Sequence, residues 1–397
     1  MSRIISDNII SPLGSSSTEN YLRVKNGESG IAEYVDPYGV PGKFCLSRFS
    51  QELIETVPRY PGCSLFEDLI IMSVKAALEH TDIDAGAPST LFVISSIIGN
   101  AGMMGEYIET SDGKVEAKAY HDQLGLSESS QRITNVLGNP NTPVVISNAC
   151  ISGVSAQLFA DRMLSMGRFK NVIVTGCDML SKFVLSGFNS LRAVSRRPCR
   201  PFDECRTGVN LGEAAATMVL SGDSDAKIGE CWRLVAGAQR NDSFHISAPS
   251  PKAEGCFSAI RSVLKDYDVS KIACVNAHGT ATMYNDEMEA MALTRMGLQD
   301  LPVYSLKGYV GHTMGASGII ESIISMKAVE DHTVIGTRGF EALGVRNPVH
   351  IVKRNQSTDK RAFLKIISGF GGVNAAVVYE KEAKDDKGTT SCSNRHV

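Results

Sequence analysis

Residues 142–166 read TPVVISNACISGVSAQLFADRMLSM, and residues 301–326 read LPVYSLKGYVGHTMGASGIIESIISM. Each stretch is a proline, a short apolar run, a loop of small residues and then an apolar helix. Short apolar runs of this kind suit strands covered on both faces. Moving outward, further Val- and Ile-rich runs lie at 91–97, 143–147, 171–175, 272–276 and 363–368. Helical spacing recurs between them at 66–79, 153–166, 286–296 and 316–330. Strands alternating with helices predict an α/β fold with parallel sheets covered on both faces. Strand-like runs at 213–220 (EAAATMVL) and 374–380 (NAAVVYE) close two halves. The turn-rich SGDSDAK at 221–227 separates them, giving 1–222 and 223–382. The likeness of the halves fits internal duplication or the general similarity of α/β units. The tail 383–397 is polar, without periodicity, and is expected to be disordered.

The chain has 397 residues, 43% hydrophobic and 21% charged, which is ordinary for a globular protein. Lys+Arg number 40 against 43 Asp+Glu, a net charge of -3, so no general basic surface exists for nucleic acid. No run of ~18 apolar residues predicts a membrane span. The opening MSRIISDNIISPLG is too polar in its middle for a signal peptide. The 10 cysteines have no CxxC pair and read as reduced thiols, which points to a cytoplasmic protein.

Cys150 follows the strand PVVIS and precedes a helix opening at Gly153. Partial positive charge and free N–H groups at a helix start favour a thiolate, the form that attacks. His278 in NAHGTAT and His312 in SLKGYVGHTMGASG each follow a strand, where α/β sheets place ligands. The histidines at 80, 121, 245, 332, 350 and 396 lack that setting. Cys150, His278 and His312 would suffice in number for a catalytic zinc. Each stands alone on its own loop, so no metal is expected. Glu321 lies in a helix apolar around most of its circumference and needs a partner, for which Lys307 is the candidate. Phe370 sits among the glycines of SGFGGVN, where the backbone approaches something closely. GxxxxGK is absent, and GNAGMMG has the wrong spacing for a dinucleotide loop.

Together, the NAC ending at Cys150, HGTAT at 278–282, Lys307 and His312 with GASG and Glu321, and SGFGGVN resemble the elongating β-ketoacyl-[acyl-carrier-protein] synthases. These are Cys-His-His condensing enzymes of the thiolase superfamily. SPLG at 11–14, GESGI at 27–31 and RPFDECRTGVNLGEAA at 200–215 extend the resemblance over nearly the whole chain. It implies a thiolase-like five-layer αβαβα fold of two pseudo-symmetric halves, working as a homodimer or a heterodimer. It implies that Cys150 carries an acyl chain and that His278 and His312 hold the thioester oxygen of malonyl-acyl carrier protein during decarboxylation. Cys150 and Phe370 would supply oxyanion N–H groups, Phe370 would gate the acyl pocket, and Lys307 with Glu321 would order the site. Thr280 and Thr282 would meet the pantetheine arm. Of the arginines at 192, 196, 197, 200 and 206, Arg206 would meet the acidic carrier protein. No cofactor is implied beyond the carrier's own phosphopantetheine.

Ile151 stands where the family more often has a small residue, Gly308 follows Lys307 where Ser is common, and 97–142 matches poorly. These departures point toward a specialised polyketide-like or lipid pathway as well as fatty-acid synthesis. A non-decarboxylating thiolase is disfavoured, because SGFGGVN lacks the second reactive cysteine. The remaining alternative is a non-catalytic chain-length-factor-like partner of a heterodimeric ketosynthase, although such partners usually lack the nucleophile.

Overall fold

A computed structural model describes residues 2–102, 124–222 and 231–382. The expected disordered tail lies outside these residues, as does most of the expected boundary segment. Ten of the described strands form one sheet: β1 Arg3–Ile10, β2 Thr90–Ser95, β3 Val144–Ile146, β4 Asn171–Asp178, β5 Ala214–Ser221, β6 Trp232–Asn241, β7 Ile272–Asn276, β8 Val303–Tyr304, β9 Ala362–Gly369 and β10 Val373–Lys381. Their order is β8-β7-β9-β10-β6-β1-β5-β4-β2-β3.

Read from the centre outward, the first half runs β1-β5-β4-β2-β3 and the second β6-β10-β9-β7-β8. Each strand has a counterpart five places later, and the pairing directions match as well. β2 is parallel to β3 and β4, while β4–β5 and β5–β1 are antiparallel. β7 is parallel to β8 and β9, while β9–β10 and β10–β6 are antiparallel. The halves meet where β1 pairs antiparallel with β6, at Arg3 with Arg233 and Ile4 with Trp232. This one-to-one correspondence decides for duplication. The purely parallel sheet expected from the alternation is not found: β10 follows β9 after the short turn Phe370–Gly372, which permits only an antiparallel hairpin.

Six helices frame the site: α1 Leu65–Leu78, α2 Ser152–Ser165, α3 Lys182–Ser190, α4 Glu254–Leu264, α5 Met283–Arg295 and α6 Ser317–Glu330. α2 and α6 lie between the half-sheets, where Val154, Ile319 and Ile323 share one core with Val93, Val174, Phe363 and Val377. On the outer faces, α1 packs Leu69 and Ile70 against Phe92 and Ile173. α4 packs Ile260 against Leu364, Ile366 and Val378. Alternation along β4 explains the split, since Val172 and Val174 face inward while Ile173 faces outward. The result is the αβαβα sandwich, with its middle helices buried along most of their length.

Glycines let the two middle helices touch backbone to backbone. A Cβ on Gly318 would lie 2.5 Å from the Val154 nitrogen, and one on Gly153 would lie 2.9 Å from the Gly315 carbonyl. This crossing brings the starts of α2 and α6 together, and with them the loops that carry Cys150 and His312.

Candidate active site

Cys150 occupies a sharp strand-to-helix turn. Ala149 has φ 46°, a left-handed conformation that strains a residue bearing a Cβ. Ser152 holds the turn: its hydroxyl donates to the Ala149 carbonyl at 2.6 Å and accepts from the Asn148 N–H at 2.7 Å. The turn therefore presents Cys150 at the start of α2, as the sequence suggests. The expected thiolate does not follow. Cys150 is only 6% exposed, and burial pushes its thiol up to about 12, with Lys307 pulling the other way. Desolvation outweighs the helix end, so the resting group is a thiol.

His312 lies beside the sulfur, with Nε2 2.9 Å from Cys150 Sγ. Its Nδ1 accepts the Met314 backbone N–H at 3.2 Å. A backbone N–H only donates, so the neutral ring carries its proton on Nε2. In His278, Nδ1 faces the Lys307 ammonium at 3.4 Å, which also leaves the proton on Nε2. The two imidazoles meet edge to face with centroids 5.1 Å apart. Burial first, then the Lys307 charge, holds both well below the usual histidine range. Both are thus neutral N–H donors at ordinary pH.

The structure brings together every expected catalytic residue. Lys307 is fully buried and bonds Glu321 Oε1, also buried. Phe370, 39% exposed, has its ring 6.0 Å from that of Phe188 in α3. Gly369 sits so close to the nucleophile turn that a Cβ there would be 3.1 Å from the Cys150 nitrogen. Cys150, His278, His312, Thr280, Thr282 and Phe370 all line one cavity of about 440 Å³. The hydroxyls of Thr280 and Thr282 are 2.9 Å apart on its wall.

The three donor atoms of Cys150, His278 and His312 lie within 4.8 Å of one another, so isolation on separate loops did not keep potential metal ligands apart. Two buried ammonium groups stand close by, Lys307 at His278 and Lys365 behind Glu321. Their charge makes the cluster a poor host for a dication and a good one for an anionic oxygen.

Arg206 is a correction. Its side chain is fully buried, donates to the carbonyls of Asp203 and Gly344, and lies 3.9 Å from Asp286 and 3.6 Å from Glu287. It braces α5 from inside and presents nothing to a docking protein. Arg192, Arg196 and Arg197 are exposed, and Arg192 lines the cavity.

Comparison with known proteins agrees with this geometry. Residues 4–226 match the model of the beta-ketoacyl synthase N-terminal domain, and residues 233–341 match that of the C-terminal domain. The chain belongs to the β-ketoacyl synthase family. A 3-oxoacyl-[acyl-carrier-protein] synthase 2 of Vibrio cholerae is 26% identical over 94% of this chain and 97% of its own length. Two solved structures share the fold. The ketosynthase ApeO in complex with its chain length factor ApeC, from Xenorhabdus doucetiae, gives a TM-score of 0.84 at 22% identity, over 96% of this chain and 98% of the other. The ishigamide ketosynthase/chain length factor gives 0.86 at 20%, over 96% and 99%.

Within this ketosynthase framework, sequence reading missed several site groups. His245 and Asp242 line the cavity. Glu289 accepts the backbone N–H groups of His278 and Gly279, each at 2.7 Å, and so fixes the HGTAT loop. Asp178 accepts from Ser96 at 2.5 Å and from the Gly315 N–H at 2.6 Å, tying β4 to the start of α6. Lys365 lies 2.6 Å from Glu321 Oε2. Only Lys365 left a signal, as a charge inside the apolar run FLKIIS. Among the described residues, no helix is long and apolar enough to cross a membrane.

Proposed function

We propose that this chain catalyses decarboxylative Claisen condensation of an acyl group on Cys150 with malonyl-acyl carrier protein. The observation that carries this reading is the pair of neutral Nε2–H donors facing one buried thiol at the cavity wall. Such donors suit an oxygen that becomes negative during reaction.

In the first half-reaction, Cys150 Sγ attacks the carbonyl of an acyl thioester and expels the pantetheine sulfur. The proton lost from Sγ returns to that leaving sulfur, so a resting thiol needs no net external base. The N–H groups of Cys150 and Phe370 stabilise the tetrahedral oxyanion. Malonyl thioester then enters past Phe370. Its C–C bond to the carboxylate breaks, CO2 leaves, and the electron pair passes into the thioester carbonyl as an enolate. His278 and His312 donate to that oxygen. The enolate carbon attacks the acyl carbon, the C–S bond to Cys150 breaks, and Sγ takes up one proton. Lys307, held by Glu321, keeps His278 in the donor tautomer. Thr280 and Thr282 bond the pantetheine arm.

The phosphopantetheine substrates come on an acidic carrier protein, which Arg192, Arg196 and Arg197 attract. The protein works as a dimer, and an intact Cys-His-His set makes it the condensing member rather than a chain-length factor. The apolar lining supplied by Ile246, Leu191 and Phe370 suits an alkyl or polyketide chain. The test is purified protein with an acyl carrier thioester and malonyl-carrier, read by mass spectrometry. A β-ketoacyl product formed with native protein, and none with Cys150→Ala, supports the reading. No acyl adduct on Cys150 with any carrier thioester overturns it.

A further inference from the structure

Lys365 sits in the middle of β9, opposite Asn276 of β7 and Val377 of β10, and is wholly buried. Alternation places it with Phe363 and Ile367 on the inner face, toward the middle layer. A lysine there loses its hydration and must be compensated. Its Nζ donates to the Ile366 carbonyl at 3.0 Å and lies 2.6 Å from Glu321 Oε2. Lys307 occupies the other oxygen of the same carboxylate. The groups form a file, Lys365–Glu321–Lys307–His278, ending at the cavity. Nothing in the assigned reaction uses its first member.

We propose that Lys365 is a positioning residue: by holding Oε2 of Glu321 it keeps Oε1 on Lys307, and Lys307 on Nδ1 of His278. This rests on the proposed condensation and deepens it. A carboxylate torsion is broad and two-fold, so one lysine alone does not fix which oxygen it meets. Two lysines on opposite oxygens do. The pair also leaves the file with one net positive charge, which opposes protonation of His278. The other charged or titratable groups facing His278 are Cys150, from the turn before α2, His312, from the loop before α6, and Glu289, from α5, which binds the loop backbone; Asp286 stands beside Glu289. None of these replaces the contact to Oε2.

The test compares native protein, Lys365→Met and the double variant Glu321→Gln/Lys365→Met. Loading of Cys150, malonyl-carrier decarboxylation between pH 5.5 and 8, and the His278 ¹⁵N spectrum are recorded for each. In Lys365→Met the file becomes neutral. Decarboxylation is expected to fall about tenfold in kcat with little change in KM, an effect near one order of magnitude in barrier arithmetic. It should also gain an acid limb, with His278 titrating inside the tested range while loading persists. In the double variant one net positive charge returns, so the limb and the titration should vanish. Native-like pH profiles and spectra in Lys365→Met overturn the proposal. If that variant does not fold, an acid limb in the double variant overturns it instead. Absence of decarboxylation in native protein counts against the condensation itself, while the His278 spectra still report on Lys365.

Discussion

Burial pushes the Cys150 thiol up to about 12, and that has a measurable consequence for its reactivity. Below its pKa, the thiolate fraction rises about tenfold per pH unit. Alkylation of Cys150 by iodoacetamide, followed by intact mass between pH 7 and 10, should therefore accelerate without a plateau. A plateau near neutrality would mean that the helix end wins after all. The side chains that meet at the site were legible in the sequence, because Cys150, His278, His312 and Lys307 lie in short boxes of small residues after strands. Their protonation states were not legible. Those depend on burial and on charges such as Lys307, whose distance from His278 no spacing reveals. The same holds for Arg206, whose charge reads as external and is spent inside on Asp286 and Glu287.

At the scale of elements, the site exists because α2 and α6 cross in contact. Gly318→Ala would force a Cβ to 2.5 Å from the Val154 nitrogen, and backbone on both sides cannot give way cheaply. Overpacking of this kind costs about 1–3 kcal/mol. The variant should unfold at lower temperature or denaturant, and should lose condensation because the loops of Cys150 and His312 separate. Gly167→Ala, at φ 64° with open space around its Cβ, is the control for general strain and should leave the rate unchanged. Strands 171–175, 272–276 and 363–368 were readable from their Val and Ile content, and all four helical spans were readable from period. The antiparallel β9–β10 and β4–β5 pairings were not. Direction depends on what connects two strands, and for β4–β5 the connection holds α3 and the arginine-rich loop.

For the whole molecule, two superposable strand orders joined at β1–β6 place two equivalent helix starts face to face, and one cavity opens between them. A net charge of -3 gives no global attraction for an acidic carrier, so any steering must come from local charge such as the exposed Arg192 at the cavity. Arg192→Glu should raise KM for carrier-bound substrate by about tenfold, with a weaker salt dependence than native protein, since surface charge acts within a Debye length of ~10 Å. A small acyl thioester lacking the carrier should be used almost as before. Equal losses on both substrates would place Arg192 in the pocket chemistry rather than in docking.

The proposed condensation requires His278 to act on the malonyl oxygen while acyl transfer to Cys150 proceeds without it. The direct measurement is His278→Ala, with acyl loading and malonyl-carrier decarboxylation quantified in the same samples. Loss of one oxyanion donor predicts a fall of about 10²–10³ in decarboxylation, with loading of Cys150 largely retained. Decarboxylation at the native rate, or loss of both partial reactions to the same extent, would contradict it.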